Sequence, residues 1–296
     1  MLLDSAGLYF RAFYGVPTSV TSPDGRPVNA IRGFLDMTAR LLARSRPEEL
    51  VACLDADWRP DFRVAALPSY KAHRVAVDGG EEVPDELGPQ VPVLMRVLDA
   101  LGVARVGVAG FEADDVIGTL AARATGPVDV VSGDRDLMQV VRDGAPVRLL
   151  YIARGVSKLE VLDDAGVRER YGVPAAAYAD FAVLRGDPSD GLPGVAGIGA
   201  KTAAALLATF GSLEAILRAV YDGVEDGFPP RSRTRLAEAR DYLAIAPGVV
   251  RVRTDVPIPG HDAALPREPV DSGVLVALAD EYGLDSSLER ILAALA

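Results

Sequence analysis

The stretch VDVVSGDRD, from Val128 to Asp136, decides the fold, because a short apolar run of strand-forming residues ends there directly in acidic residues. The same pattern recurs nearer the N-terminus. Apolar runs beginning at Met1, Leu50 and Val103 also lead into acidic residues, and a fifth run spans Val147–Ile152. Helical spacing of apolar residues occupies the intervals 29–44, 90–101, 112–124 and 136–142. Short strands that alternate with helices predict an α/β fold with a mainly parallel central sheet flanked by helices.

The second half of the chain has a different pattern, because the strand signal fades after about residue 157 and helical patterns follow one another. These patterns lie at 159–171, 175–185, 200–209, 213–220, 231–244 and 274–282, with a last one near the C-terminus. We therefore predict two domains, an α/β core over residues 1–157 and a helical domain over residues 158–296. Within the core, the polar and proline-rich segment 75–92 interrupts the pattern, and long irregular segments are often functional.

The overall charge argues at first sight against a nucleic-acid partner. The 296 residues include 31 Lys and Arg against 42 Asp and Glu, a formal net charge of −11, whereas phosphate-binding proteins are usually basic. The hydrophobic content of 49% is typical of an ordinary globular chain. The single cysteine, Cys53, excludes an internal disulfide. No apolar run reaches the ~18 residues of a membrane span and no secretory leader is visible, so we expect a cytoplasmic protein without a membrane partner.

Acidic residues follow four of the five predicted strands, at Asp4, Asp55, Glu112–Asp115 and Asp134–Asp136. An acid in this place is often only a helix cap or a turn residue. The carboxyl ends of parallel strands meet at one edge of the sheet, however, and carboxylates gathered in one crevice repel each other unless cations hold them. Since the chain has only two histidines, we expect oxygen ligands and hard cations such as Mg²⁺ or Mn²⁺. Two such ions about 4 Å apart would activate a water for in-line displacement at a phosphodiester.

A glycine-rich turn and a few basic residues indicate a phosphate ligand. In Gly194–Ala203 the glycines permit a tight turn, and Lys201 lies in the first turn of the following helix, where backbone N–H groups favour an anion. The alternative is a helix-hairpin turn without a ligand. Lys71 and Arg74, three apart on a predicted helix, are placed to reach one phosphate, and Tyr70 to stack on a base. For these three side chains, solvated surface positions or packing roles remain the alternatives.

Motifs that occur in order along nearly the whole chain resemble the bacterial 5′–3′ exonuclease family, which includes the nuclease domain of DNA polymerase I and the flap endonucleases. The similar strings are LDSAGLYFRAF at 3–13, LDA at 54–56, FR at 62–63, YKAHR at 70–74, EADDV at 112–116, SGDRDL at 132–137, GDPSDGLPGV at 186–195 and GIGAKTA at 197–203. Since no polymerase domain follows, the chain resembles a stand-alone nuclease.

The resemblance implies a PIN-like nuclease core, a helical arch near residues 71–95 and a C-terminal helical domain with a helix–three-turn–helix DNA-binding motif near 186–210. It implies a structure-specific, metal-dependent DNA nuclease with 5′–3′ exonuclease and 5′-flap endonuclease activity, acting in DNA replication and repair. The partner would be DNA with 5′ single-stranded flaps or 5′ ends on duplex, and the protein would be a monomer. The implied cofactors are two or three Mg²⁺ or Mn²⁺ ions, with K⁺ at the helix–three-turn–helix motif.

The resemblance also implies roles for individual residues. The metal-site acids would be Asp4, Asp55, Glu112, Asp114, Asp115, Asp134, Asp136, Asp187 and Asp190, the last two at an outer metal position. The catalytic residues would be Lys71, Arg74, Asp115 and Asp134. The DNA contacts would be Arg11, Arg63, Tyr70, Lys71, Arg74, Gly197, Gly199, Lys201 and Thr202. Without the nine metal-site acids, 33 acidic residues remain against 31 basic ones, so the net charge is weak evidence against DNA.

The sequence departs from the family pattern at two places. Gly191 stands where the family commonly has Asn, so a contact from that side chain is absent. Asp78, Glu81 and Glu82 make the expected arch more acidic than a passage for phosphates suggests.

Two other functions remain as alternatives. A haloacid-dehalogenase-like phosphatase would use Asp55 and Asp57 with Asp187 and Asp190, but it leaves the remaining acids and the glycine turn unexplained, and Arg59 stands where Thr or Val is usual. A non-catalytic DNA binder would have lost one or more central acids, and none is lost here.

Overall fold

The computed structural model describes residues 1–77 and 79–296 and contains a six-stranded sheet. The strands are β1 Leu2–Asp4, β2 Val51–Cys53, β3 Ala104–Val106, β4 Val128–Ser132, β5 Val147–Tyr151 and β6 Glu160–Leu162. Their order across the sheet is β3-β2-β1-β4-β5-β6. β1 to β5 run parallel, and β6 is antiparallel to β5. The five predicted strands are present, so the mainly parallel sheet is confirmed.

The centre of the sheet is the point where the strand order changes direction. β1 pairs with β2 on one side and with β4 on the other, with Leu2 opposite both Val51 and Val130. In open parallel sheets, ligands bind in the crevice outside the carboxyl ends of the strands at such a point. The acidic residues at the ends of β1 and β4 therefore meet in one crevice.

Apolar side chains cover both faces of this sheet. The core helices are α1 Ser5–Gly15, α2 Asn29–Ser45, α3 Asp61–Ala66, α4 Gln90–Leu101 and α5 Ala113–Arg123. Because successive strand residues point to opposite faces, Leu2 packs in the apolar cluster that contains α5 residues such as Ile117, whereas Leu3 packs with α2 and α4 residues such as Phe34 and Leu98. The helices predicted at 29–44 and 90–101 are confirmed. The segment predicted as a helix at 136–142 is instead a 3₁₀ helix over Asp136–Val140.

Helices dominate the second half of the chain, as predicted. They are α6 Asp164–Tyr171, α7 Tyr178–Arg185, α8 Ala200–Phe210, α9 Leu213–Tyr221, α10 Ser232–Glu238, α11 Arg240–Val250, α12 Ser272–Tyr282 and α13 Asp285–Leu295. The prediction of a helix from residue 159 is wrong in its first turn, because Glu160–Leu162 pairs with β5 as an edge strand. α12 and α13 return to the core and pack on α4 and α2. The division of the chain after residue 157 stays a prediction.

The segment expected to form a helical arch has another conformation. Lys71 has a left-handed backbone (φ 48°) and precedes a 3₁₀ helix of only three residues, Ala72–Arg74. Val75 and Glu81 then form an isolated antiparallel bridge, and the Ala76 amide donates to the Gly80 carbonyl at 2.8 Å. Within the part of residues 71–89 that the structure describes, a short hairpin therefore replaces the expected arch helix. Asp78, one of the acids noted in this segment, lies outside the described residues.

The described ranges, 1–77 and 79–296, contain no single helix that is long and apolar enough to cross a membrane. The bent pair α8 and α9 reaches that length and composition only when its two helices, which meet at 80°, are taken together.

Candidate active site

The carboxyl edge of the sheet encloses a cavity of about 260 Å³, which we call the carboxylate cavity. Its lining includes six acidic residues: Asp4, Asp55, Glu81, Glu112, Asp114 and Asp134. The basic residues Arg11, Lys71 and Arg74 line the same cavity. The structure thus brings together five of the nine predicted metal-site acids and three predicted DNA contacts. It adds Glu81, which no local sequence signal identifies, because its position depends on the hairpin folding back over the sheet.

Asp4 and Asp134 are positioned by the adjacent ends of β1 and β4. Asp4 caps α1, where it accepts a hydrogen bond from the Gly7 amide at 2.8 Å. A Cβ atom on Gly7 would lie 2.3 Å from Asp4 Oδ2, so this position excludes a side chain. Ser132 Oγ donates to Asp4 at 2.6 Å and accepts from the Asp134 amide at 2.9 Å. Burial raises the pKa of Asp4, and the nearby charge of Asp134 raises it further.

The start of α5 adds two more acids, Glu112 and Asp114, and lies against a third, Asp55. Asp55 accepts a hydrogen bond from the Ala113 amide at 2.6 Å, which ties the end of β2 to this helix. Glu112 is buried and forms an ion pair with Lys71 Nζ. Burial opposes the charge of Lys71, but Glu112 outweighs it and holds the pKa of Lys71 well above its usual value. Burial raises the pKa of Asp114 well above its usual value, and Asp134 and Asp4 add to this effect. Lys71 is therefore a fixed cation at a cavity in which acidic residues outnumber basic ones.

Three predicted site residues lie behind the cavity, in the interior. Asp115 is fully buried, and both of its oxygens accept hydrogen bonds from Arg63 at 2.7 Å. Arg63 is only 2% exposed and also donates to Glu112 and to the Val249 carbonyl. Tyr70 is 4% exposed and donates its hydroxyl to Glu112 at 2.9 Å. Neither side chain reaches the surface, so burial does not support the DNA contacts of Arg63 and Tyr70, which stay predictions. A metal contact from Asp115 does not fit its complete pairing with Arg63.

The outer acids are also partly neutralised by arginines. Asp187 receives Arg135 on both oxygens, at 2.8 and 2.5 Å, and a bond from Ser189. Burial opposes ionisation of Asp187, but Arg135 and Ser189 outweigh it and hold its pKa below the usual value. Asp190 accepts from Arg74 at 3.2 Å, yet burial raises the pKa of Asp190 to about 6. Asp187 is therefore occupied by Arg135 in this structure, and its role as the outer ligand that the resemblance implies stays a prediction.

Asp136 lies between the two groups of acids. Its Oδ1 atom is buried and has no hydrogen-bond partner in the part of the chain that the structure describes. Burial raises the pKa of Asp136 well above its usual value, and Asp134 and Asp190 raise it further. A buried carboxylate oxygen without a partner is costly unless a cation or a proton compensates it.

The chemistry of these residues fits hard divalent cations. All of the donors are carboxylate oxygens, the ligands that Mg²⁺ and Mn²⁺ prefer. Asp4, Asp114 and Asp134 have no ion-pair partner among residues 1–77 and 79–296, and Asp136 leaves one oxygen orphaned. The acids surround the cavity rather than one point: no three His, Cys, Asp or Glu side chains of the described ranges converge as a ready ligand set. Ion binding at this site would therefore draw carboxylates inward.

The predicted helix–turn motif lies between α7 and α8. Gly186 and Gly194 have positive φ angles of 81° and 67°, and a Cβ on Gly194 would lie 2.5 Å from the Gly186 nitrogen. Only glycine permits this close approach, which closes the turn before α8. Lys201 is exposed in the first turn of α8. Arg235 from α10 donates to the Gly197 carbonyl at 2.6 Å, a neighbour that sequence reasoning missed because it lies 38 residues away.

Comparison with known proteins shows which family has this sheet, this carboxylate cavity and this helical domain. Residues 1–172 match the family profile described as the 5′–3′ exonuclease N-terminal resolvase-like domain, and residues 173–273 match the 5′–3′ exonuclease C-terminal SAM fold. The chain belongs to the 5′–3′ exonuclease family. It is therefore a hydrolase that acts on DNA phosphodiester bonds, and the phosphatase alternative is wrong. The predicted resemblance and the predicted fold class, a PIN-like α/β domain followed by a helical domain, are confirmed.

Relatives in sequence and structure agree with this assignment. The chain is 61% identical to a 5′–3′ exonuclease of Streptomyces coelicolor, over 100% of this chain and 99% of that protein. It is 38% identical to DNA polymerase I of Mycobacterium bovis, but there it spans 32% of the polymerase. A bacteriophage T5 flap endonuclease solved with DNA and metal ions has a TM-score of 0.64 at 18% identity, over 100% of this chain and 98% of that one. This last likeness shows the fold alone.

Proposed function

We propose that this exonuclease-family member cleaves DNA at 5′ single-stranded flaps and at 5′ ends on duplex, with Mg²⁺ or Mn²⁺ as cofactor, during replication and repair. The observation that carries the proposal is the carboxylate cavity itself. Six acids and three basic side chains line one cavity at the switch point of the sheet, where a hard cation and a phosphate fit together.

The acids of the cavity have distinct tasks in this proposal. Asp4, Asp55, Asp114 and Asp134 would hold two or three divalent ions, with Glu112 nearby and Asp136 as a reserve donor through its unpaired oxygen. Bound divalent ions supply Lewis acidity and charge neutralisation for in-line displacement at phosphorus. Ser132 and the Gly7 amide hold the Asp4 carboxylate in place at the end of β1. Asp187 and Asp190, the predicted outer acids, would contribute chiefly by holding Arg135 and Arg74 in place.

Lys71 and Arg74 would bind the scissile phosphate. Both side chains are held at the cavity by acids, Lys71 by Glu112 and Arg74 by Asp190 and the Ser189 carbonyl. These acids keep the two cations in place before the substrate arrives. A phosphate that enters the cavity would accept hydrogen bonds from the same side chains and gain stabilisation as negative charge develops. The products would carry a 5′-phosphate and a 3′-hydroxyl.

The turn before α8 would grip the duplex backbone. Gly197 and Gly199 would let the main chain approach the phosphates, and Lys201 and Thr202 lie at the N-terminus of α8, where a phosphate is favoured. We further propose that K⁺ binds to backbone carbonyls of this turn. The proposed protein is a monomer and is located in the cytoplasm.

The decisive experiment measures cleavage of an end-labelled 5′-flap duplex with Mg²⁺, with Mn²⁺ and with EDTA. We expect cleavage by the wild type with either ion and none with EDTA. Asp134→Asn is expected to lower the single-turnover rate at least about 100-fold, because it removes a carboxylate from the cavity. Asp143→Asn is the matched control, since it makes the same charge change at an exposed position outside the cavity.

Binding without metal-dependent cleavage by the wild type would contradict the proposal and favour the non-catalytic DNA binder. An equal rate for Asp134→Asn and Asp143→Asn would contradict the assigned site. Duplex affinity measured in K⁺ and in Na⁺ salts at one ionic strength tests the K⁺ proposal separately.

A further inference from the structure

A short loop, residues 57–59, follows β2 and contacts the segment that contains Lys71. Asp57 Oδ1 accepts a hydrogen bond from the Arg59 amide at 3.2 Å, and the Asp57 amide donates to the Phe111 carbonyl at 3.1 Å. Trp58 lines the carboxylate cavity, whereas its two charged neighbours do not. No part of the proposed function uses Asp57 or Arg59.

The Arg59 side chain binds the main chain directly before Lys71. Its Nε atom donates to the Tyr70 carbonyl at 2.6 Å, and its Nη2 atom donates to the Pro68 carbonyl at 2.9 Å. A guanidinium group suits this task, because its N–H groups lie in one plane and it stays charged. Removal of this side chain would take a donor from both carbonyls.

The Tyr70 carbonyl belongs to the peptide group that precedes Lys71. The N–H group of the same peptide donates to the Asp190 carbonyl at 3.0 Å. The peptide is therefore held at both ends, by Arg59 at its oxygen and by Asp190 at its nitrogen. The orientation of this peptide sets the φ angle of Lys71, which is 48°, in the left-handed region that residues other than glycine rarely adopt.

This backbone conformation places the Lys71 ammonium group in the carboxylate cavity. Lys71 Nζ forms an ion pair with Glu112 and donates to the Trp58 carbonyl at 3.4 Å. A return of Lys71 to a negative φ angle would rotate its side chain relative to the preceding peptide and draw Nζ away from Glu112. A strained backbone persists only where the surrounding structure holds it. The contacts that hold this peptide therefore matter for the position of the ammonium group.

The residues beside this peptide have separate contacts of their own. Ser69 Oγ donates to the Gly191 carbonyl at 2.9 Å, and the Tyr70 hydroxyl donates to Glu112 at 2.9 Å. Loss of Arg59 is therefore expected to free the peptide without unfolding the segment.

We infer that Arg59 is a positioning residue for Lys71, because it holds the Tyr70–Lys71 peptide in the orientation that directs the ammonium group into the carboxylate cavity. Arg59 itself would not touch the substrate, since its Nε and Nη2 atoms are occupied and it does not line the cavity. The inference rests on the proposed function, which assigns the contact with the scissile phosphate to Lys71.

The first test measures single-turnover cleavage of the 5′-flap duplex in Mg²⁺ over a range of enzyme concentrations. Arg59→Ala is expected to lower the rate at saturating enzyme about tenfold, because a small displacement of a positioned group is sufficient for such a loss. The enzyme concentration that gives half of the saturated rate should change less than about twofold, since no DNA contact is removed. Arg59→Lys keeps an ammonium donor for the carbonyls and should recover part of the rate.

Arg142→Ala is the matched control. Arg142 is a half-buried arginine that also donates to main-chain carbonyls, those of Ala145 at 2.9 Å and Ala121 at 2.6 Å, but it lies before β5 and outside the cavity lining. It should cleave at the wild-type rate. Equal rates for Arg59→Ala and Arg142→Ala overturn the inference. So does an equal loss of rate and of DNA affinity for Arg59→Ala, because that result makes Arg59 a direct DNA contact.

A double substitution shows whether Arg59 acts through Lys71. Lys71→Ala alone is expected to lower the saturated rate about 100-fold, because it removes the cation that faces the phosphate. Arg59→Ala should then cause no further loss in the Lys71→Ala background, since residues that act through one group are not additive. A further tenfold loss in that background overturns the inference.

Hydrogen exchange of residues 69–75, followed by mass spectrometry without metal or DNA, tests the geometry apart from cleavage. Arg59→Ala should speed exchange of the Lys71 amide about tenfold, because the peptide is then held at one end only, whereas Arg142→Ala should not. Unchanged exchange in Arg59→Ala overturns the inference even where the wild type cleaves the flap. Faster exchange in Arg59→Ala, with no cleavage by the wild type, would overturn the proposed function alone.

Discussion

Two groups of acids on this molecule differ in what neutralises them. Asp115 and Asp187 each accept one arginine through both carboxylate oxygens, Arg63 in the first case and Arg135 in the second. In the carboxylate cavity, Asp114 and Asp134 have no ion-pair partner in the described part of the chain. All of these acids occur in similar motifs at strand ends or helix starts. The difference teaches that an acid with its own arginine stabilises the fold, whereas an acid without one awaits a cation from outside.

The largest effect is expected where a paired arginine is removed. Arg63→Ala would leave Asp115 buried with an uncompensated charge and would remove one of the cations that pair with Glu112, so we expect the free energy of unfolding to fall by roughly 3–5 kcal/mol. Urea denaturation followed by circular dichroism measures this loss.

The same measurement of the free energy of unfolding distinguishes the paired acids from the unpaired ones. Asp134→Asn should not lower the free energy of unfolding, because it removes a charge that repels Asp4 and Asp136 rather than one that holds an arginine. A loss for Asp134→Asn as large as that for Arg63→Ala would break the comparison.

A smaller effect is expected at Asp187, the paired acid that the resemblance places at an outer metal position. Asp187→Asn weakens the two-point contact with Arg135 and should cost about 1.5–3 kcal/mol of unfolding free energy. The Mn²⁺ concentration that gives half-maximal cleavage should stay unchanged, because Asp187 is occupied by Arg135. A several-fold rise in that concentration, without a loss of stability, would show that Asp187 is a ligand after all.

The smallest effect concerns the pH dependence of stability and Asp190, which accepts a hydrogen bond from Arg74 but still has a raised pKa. The pKa of Asp190 is raised to about 6 in the folded chain, so the folded state binds a proton more tightly there than the unfolded state does. In the absence of divalent ions, the contribution of Asp190 to stability should therefore increase as pH falls from about 7.5 to 5, by about 1 kcal/mol. Asp190→Asn should flatten the pH profile of unfolding by that amount. An unchanged profile would show that Arg74 neutralises Asp190 as fully as Arg135 neutralises Asp187.

Local sequence patterns were sufficient for the elements that bring the site together. Apolar runs ending in acids predicted β1, β2 and β4, and the parallel pairing of these strands places Asp4, Asp55 and Asp134 at one edge. Local sequence also explains the glycines of the turn before α8, because Gly186 and Gly194 contact each other across a short loop.

Contacts between residues that lie far apart in the chain could not be predicted from the sequence. Arg63 looks like a surface base in its own segment, and only the folded chain shows that it reaches Asp115, 52 residues away, and the Val249 carbonyl, 186 residues away. The expected arch helix is a hairpin, and that hairpin brings Glu81 to the carboxylate cavity. The edge strand β6 forms because β5 offers an unpaired edge, a property of the sheet rather than of residues 160–162.

The sequence by itself therefore determined the fold class, the family and the gathering of carboxylates, because strand ends, helix starts and tight turns depend on neighbouring residues. Only the tertiary structure decided which carboxylates already have a cation and which do not. That distinction depends on arginines that distant segments bring to the site. It also depends on burial, because a buried charge without a partner is costly.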